Sequence, residues 1–219
     1  MMTEATLLIS NKNYSSWSLR GFLLARLSGI SFTEERVSPD DPRAREELLM
    51  RTSSILVPCL IHGDVSVWDT IAIAEYLNEN FPGAHMLPAE KAARARCRSI
   101  SGEMHSGFAA LRSSLPMNLR FRKPGFTVWS SAQADIDRIT GIWRECLNTW
   151  KGPFLFGHQP TIADCMYAPV VTRFLSYDVN VGPLCQQYCD TILGWPPMKE
   201  WIAAAKEEPQ EIIELDLDF

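Results

Sequence analysis

One proline inside an otherwise strand-like run, Pro58 in ILVPCLI, constrains this chain more than any other residue. Residues 55–61 are apolar and partly β-branched, so they predict a strand, yet proline brings no N–H to a ladder. It belongs at a strand start, an edge or a bulge, which leaves backbone open to a ligand. His62-Gly63-Asp64 predicts a tight turn in which glycine supplies a positive φ, and Val65-Ser66-Val67-Trp68 alternates as the returning strand. Asp69 and Thr70 then open a helix. Either side chain can accept from the amides of Ile71 and Ala72, and Ile71, Ala74 and Leu77 keep an apolar stripe. The expectation is a pocket where a proline-exposed strand edge meets an acidic helix N-terminus.

Around this segment the chain alternates elements. Residues 5–10 predict a strand, the polar NKNYSS loop feeds a helix over 17–28, and Gly29 stands where helix C-caps favour glycine. A second strand over 31–37 and a short charged helix over 42–51 follow. Residues 80–90, with two prolines and a glycine, read as a linker, and everything beyond reads helical. The first long helix is predicted over 89–115, with Met104, Phe108, Leu111 and Leu115 as an inward stripe. Gly102 and Gly107 thin it at a cost of about 1 kcal/mol each relative to alanine, which implies a close approach by a partner helix or a ligand. Residues 116–128 form a basic loop, 129–150 a second long helix, and Thr161 with Asp164 a capping box before a nearly all-apolar helix. Shorter helices begin near Leu184 and Pro197, and the acidic tail EIIELDLDF closes the chain.

The 219 residues, 46% of them hydrophobic, suffice for two small domains. A net charge of −5 argues against nucleic-acid or anionic-membrane partners. No segment is long and apolar enough for a membrane span, and the start does not read as a signal peptide, so a cytoplasmic protein is expected. Cys59, Cys97, Cys146, Cys165, Cys185 and Cys189 are scattered without CxxC spacing or a histidine partner block. They predict reduced, buried side chains and no metal site.

The order Val57-Pro58, strand, turn, strand, Asp69-Thr70 resembles the glutathione transferase family, and YSSWSLR resembles its serine-type catalytic motif. The resemblance implies an N-terminal thioredoxin-like domain over 1–81, with a four-stranded mixed sheet and three helices, that binds glutathione. After a linker over 82–89, an all-α domain over 90–219 takes the second substrate. It implies a cis bond before Pro58, with the Val57 backbone pairing the cysteinyl part of glutathione. Asp69 and Thr70 take the γ-glutamyl end, whose ammonium suits the acid and whose carboxylate suits a hydroxyl with helix amides. It also implies a homodimer. One departure stands out: the family usually has a polar or basic residue shortly before Val-Pro, where this chain has Ile55 and Leu56. Lys12, Arg20 and Arg43 are the candidates to replace that contact with the glycine end.

The chemistry such a site needs is a thiolate. A thiol of pKa near 8.5 is only about 3% ionised at pH 7, and lowering the pKa by about two units needs roughly 2.7 kcal/mol. A hydrogen bond to a charged sulfur supplies about 1.5–3 kcal/mol and a helix N-terminus about 0.3–1 kcal/mol. Ser15, then Ser16, are the candidate catalytic hydroxyls, each also able to serve as a plain N-cap; Tyr14 is the alternative hydroxyl. Trp17 occupies the position where other family members carry cysteine, which disfavours glutaredoxin-like chemistry. Tyr14, Met104, His105, Phe108 and Arg112, with Met117 and Asn118, are expected to line a pocket for a small apolar electrophile. The basic residues Arg120, Arg122 and Lys123 are candidates to clamp an acidic one. Asp164 is expected to cap its helix.

The expected function is a glutathione transferase that uses glutathione as cosubstrate and no metal. The alternatives are a glutathione-dependent isomerase like maleylacetoacetate isomerase, in which glutathione adds and then leaves, and a non-catalytic binding module of the same fold.

Overall fold

In the computed structural model, which describes residues 5–38, 42–52 and 54–209, a small mixed sheet is followed by helices alone. The acidic tail EIIELDLDF lies outside the described residues. The chain runs β1 (Ala5–Ile9), α1 (Ser16–Ser28), β2 (Phe32–Arg36), α2 (Pro42–Thr52), β3 (Cys59–His62), β4 (Val65–Trp68) and α3 (Thr70–Asn80). The sheet order is β2-β1-β3-β4; β1 and β2 are parallel, and β3 is antiparallel to both its neighbours. This is the thioredoxin-like arrangement expected from the sequence.

Alternation along β1 divides the sheet's contacts. Ala5, Leu7 and Ile9 face the main core with α1 and α3, while Leu8 turns to the other side and meets Leu48 of α2 and Cys59. The expected strand over 55–61 is shorter than read: β3 begins at Cys59, directly after Pro58. Residues 55–58 stay outside the ladder because proline cannot donate to it. Leu56 is accordingly exposed.

The helical half comprises α4 (Lys91–Ser106), α5 (Ala109–Ser114), α6 (Ser130–Trp150), α7 (Ile162–Ser176), α8 (Pro183–Gly194) and α9 (Pro196–Glu207). The single long helix expected over 89–115 is broken at Gly107-Phe108, where Phe108 takes φ 59°. A Cβ on Gly107 would lie 2.7 Å from the Glu103 carbonyl oxygen of its own helix, and among the described residues nothing lies within 4 Å of one on Gly102. The break folds Phe108 and Leu111 into the core beside Met104.

Helix α7 is the axis of this half, buried along nearly its whole length and packed on α4, α1 and α8. Its start carries the expected capping box between Thr161 and Asp164. The Asp164 carboxylate is fully buried and accepts from the Leu155 and Thr161 amides (3.1 and 2.8 Å) and the Thr161 and Tyr188 hydroxyls (2.9 and 3.1 Å). Burial pushes its carboxyl up to about 6, against the pull of these donors. All six cysteines are buried free thiols, and burial pushes each of them up.

Asp164→Ala removes the cap and leaves buried donors without an acceptor, so a loss of about 3–5 kcal/mol is expected in denaturant unfolding. The pH dependence has a definite sign. The folded-state carboxyl titrates near 6 and the free one near 3.8, so its contribution is complete below about pH 4 and is lost as pH rises through about 6. The stability gap between wild type and Asp164→Asn should therefore widen as pH falls from 6 to 4.

Candidate functional site

The site is built where α1, the residues ahead of β3 and the start of α3 meet. Gly21, in the second turn of α1, leaves room for Pro58: a Cβ there would come within 2.6–2.7 Å of the proline ring. The contact seats the cis Val57–Pro58 peptide against α1. On the opposite side β4 ends at Trp68, and Asp69 caps α3 by accepting the Ile71 amide at 2.8 Å. Asp69 holds φ 75° and ψ 132°, a region that side-chain-bearing residues rarely adopt and that tends to mark functional positions.

Together these elements enclose a cleft of about 200 Å³ lined by Trp17, Leu56, Val57, Pro58, Asp69, Thr70 and His105. The structure thus brings four of the expected glutathione contacts, Val57, Pro58, Asp69 and Thr70, to one concave surface. His105 joins them from α4, but at the acidic corner rather than along an apolar wall. Its Nε2 lies 3.0 Å from Asp69 Oδ2 and its Nδ1 lies 3.3 Å from Thr70 Oγ1. Trp17 meets the imidazole edge-on at 5.2 Å.

The hydroxyl candidates stand at the N-terminus of α1, just behind Trp17, without lining the cleft themselves. Ser15 is the N-cap: it accepts from the Ser18 amide at 3.3 Å and donates to Ser18 Oγ at 2.9 Å. Ser16 Oγ accepts from Arg173 Nη2 at 3.4 Å, and its proton is uncommitted among the described residues. Tyr14 does not line the cleft; it is buried, with its hydroxyl 3.3 Å from Arg120 Nη2.

The other expected lining residues are turned elsewhere. Met104 and Phe108 are core side chains, because the break after α4 rolls them inward. Met117 is buried too, and Asn118 accepts from the Asn13 side chain at 2.9 Å. Arg112 reaches back to the Met104 and His105 carbonyls at 2.6 and 2.9 Å and so caps the end of α4. In the basic loop Arg120 donates to the Glu208 carbonyl, and Arg122 to the Leu119 and Phe121 carbonyls. Lys12 pairs with Glu34 at 2.5 Å and Arg20 is wholly buried, and neither lines the cleft.

Sequence reasoning missed a cationic cluster behind the Trp17 wall. Arg20 and Arg112 each place a guanidinium 4.8 Å from the Trp17 ring centroid. Arg173 comes in from α7, its Nε on the Leu115 carbonyl at 2.8 Å. Burial and the neighbouring arginines lower Arg20 well below the usual range and bring Arg173 to about 10. Arg20 Nη2 is buried without a hydrogen-bond partner among the described residues. A signal existed, since an arginine in the nearly all-apolar run of α7 is rarely buried without a reason.

The sequence matches the family model for the glutathione S-transferase N-terminal domain over residues 14–80 and that for the C-terminal domain over residues 91–204. The chain belongs to the glutathione S-transferase family. It is 24% identical to a probable maleylacetoacetate isomerase of Caenorhabditis elegans, covering 77% of this chain and 78% of that one. Glutathione S-transferase 1 of Dianthus caryophyllus is 28% identical over 82% of this chain and 83% of its own. Among solved structures, a glutathione transferase homolog from Burkholderia with bound glutathione shares the fold at a TM-score of 0.71. It has 22% identity and covers 94% of this chain and 100% of that one.

Because Pro58 rests on the bare Gly21 backbone, Gly21→Ala should overpack this contact by about 1–3 kcal/mol. A lowered midpoint in urea unfolding checks it; an unchanged midpoint would show that the proline has room to retreat.

Proposed function

We propose that the chain binds glutathione in the Trp17–Asp69 cleft and activates its thiol at the N-terminus of α1 for attack on an electrophile, as a glutathione transferase. The observation that carries this reading is the convergence of Val57, Pro58, Asp69, Thr70 and the first turn of α1 on one cleft. The Val57 backbone pairs the cysteinyl residue, Asp69 takes the γ-glutamyl ammonium, and Thr70 with the first amides of α3 takes its carboxylate. That places the sulfur toward the N-terminus of α1, where helix amides and a serine hydroxyl hold it as an anion. Between the two serines, Ser16 keeps its proton for the sulfur while its oxygen faces the Arg173 cation. Ser15 must first give up its bond to Ser18.

A second reading is favoured by the arginines. Arg20, Arg112 and Arg173 gather positive charge behind the thiolate position with no carboxylate in contact among the described residues, which suits an electrophile that is itself an acid. In that reading the thiolate adds to an activated double bond, the carbon–carbon bond turns while single, and the sulfur leaves again, so the net result is isomerisation. A relative named for a carboxylate substrate, the probable maleylacetoacetate isomerase, is consistent with it. Product analysis after turnover of an unsaturated diacid separates a conjugate from an isomer.

We also propose a homodimer formed through apolar side chains exposed in the N-terminal half, Leu49, Met50, Val65 and Trp68. Sedimentation velocity tests it.

Isothermal titration should register glutathione binding at millimolar ligand; no heat would end both enzyme readings. Asp69→Asn keeps an N-cap and loses the charge, so binding should weaken about 10- to 100-fold. In the bound state, the thiolate absorbance near neutral pH should fall about tenfold in Ser16→Ala and less in Ser15→Ala. Unchanged absorbance in both refutes the hydroxyl assignment.

A further inference from the structure

The loop that presents the serines has no ladder to hold it. Between the end of β1 and the start of α1, residues 10–15 run without β pairing, yet a hydrogen bond to a sulfur anion demands a fixed donor. Besides the local bonds of the Ser10 amide to Ser18 Oγ and of the Tyr14 amide to Asn11 Oδ1, restraints come from the far end of the chain. Glu208, immediately after α9, turns its carboxylate into this loop, and one oxygen accepts both the Lys12 amide at 2.7 Å and the Asn13 amide at 3.2 Å. The other oxygen lies 3.7 Å from Arg36 at the end of β2. With 12% of its side chain exposed, the carboxylate is largely shielded from water, which strengthens these charge-assisted bonds.

The surrounding contacts point the same way. Trp201 of α9 donates its indole N–H to the Lys12 carbonyl at 3.0 Å, so both faces of that residue's backbone are held from one helix and its end. Asn13 is gripped at its carbonyl by the Leu119 amide at 3.3 Å and at its side chain by Asn118 and the Arg120 amide. Arg120 in turn donates to the Glu208 carbonyl at 2.8 Å. Glu208 is thus the meeting point of the loop, β2 and the segment after α5.

We propose that Glu208 is a positioning residue for thiol activation: its carboxylate fixes the Lys12–Asn13 backbone and thereby the distance from the Ser15 and Ser16 hydroxyls to the bound sulfur. The inference rests on the glutathione reading above. It carries a sign that separates it from a simple charge effect. Removing an anion near a thiolate lowers the thiol pKa through space, whereas loosening its hydrogen-bond donor raises it.

The test is a pH titration of the thiolate absorbance of glutathione bound to the full-length protein, in wild type, Glu208→Ala and Glu208→Gln. Melting temperature and glutathione affinity are measured alongside. The expected result in Glu208→Ala is a midpoint about one unit higher, equivalent to about tenfold less thiolate below the midpoint, with affinity close to wild type. Glu208→Gln keeps an acceptor and should shift by less than half as much. A midpoint in Glu208→Ala that is unchanged or lower overturns the inference. Should Glu208→Ala fail to fold, Glu208→Ser, too short to reach the Lys12 and Asn13 amides, decides in its place, a raised midpoint supporting the role and a wild-type midpoint overturning it. A wild type that shows no thiolate band at all overturns the glutathione reading and this inference with it.

Discussion

The contact between Pro58 and the bare backbone of Gly21 is the constraint on which the cleft depends. It sets the distance between α1 and the residues ahead of β3, so the helix N-terminus and the open Val57 backbone face the same space. Everything polar in the site is then placed by helix ends: Ser15 and Ser16 by the start of α1, Asp69 and Thr70 by the start of α3, His105 by the end of α4. Of these, the starts of α1 and α3 leave backbone amides without intrahelical partners, while the end of α4 leaves carbonyls. The polarity of the cleft is therefore set by two helix N-termini and one C-terminus gathered around one proline.

The two halves of the molecule are joined at that cleft as well as beside it. Helix α7 packs against α1 as well as α4, and its Arg173 reaches the side chain of Ser16. His105 crosses from α4 to the Asp69 and Thr70 pair. A ligand that engages the acid corner must therefore rearrange or share an interdomain contact. Binding and the relation of the halves are in this way energetically linked.

What could be read from the sequence was whatever is carried by neighbours in the chain. Val57-Pro58, the Gly63 turn and the Asp69-Thr70 helix start lie within fourteen residues, and each has a local chemical reason to be what it is. The capping box of α7 is local in the same sense. Where the reading failed, the decisive partner was distant. Met104 and Phe108 form a correct apolar stripe, but the left-handed Phe108 turns that stripe into the core, and no periodicity announces a non-glycine residue at positive φ. Arg20, Arg112 and Arg173 are separated by up to about 150 positions and meet only because α1, α5 and α7 converge. Arg112, expected along the pocket wall, lies against Trp17 and closes the end of α4 with its guanidinium.

The six buried cysteines have a consequence for the proposed chemistry, which turns on a foreign thiolate. Exchange with an oxidised thiol needs a thiolate on the attacking side, and burial keeps every cysteine of this chain protonated and out of reach. With Trp17 at the helix start, no cysteine or methionine lines the cleft among the described residues. Under the proposed reading, oxidised glutathione in the cleft therefore meets no thiolate of the lining that could attack its disulfide, and no mixed disulfide with the scaffold forms there.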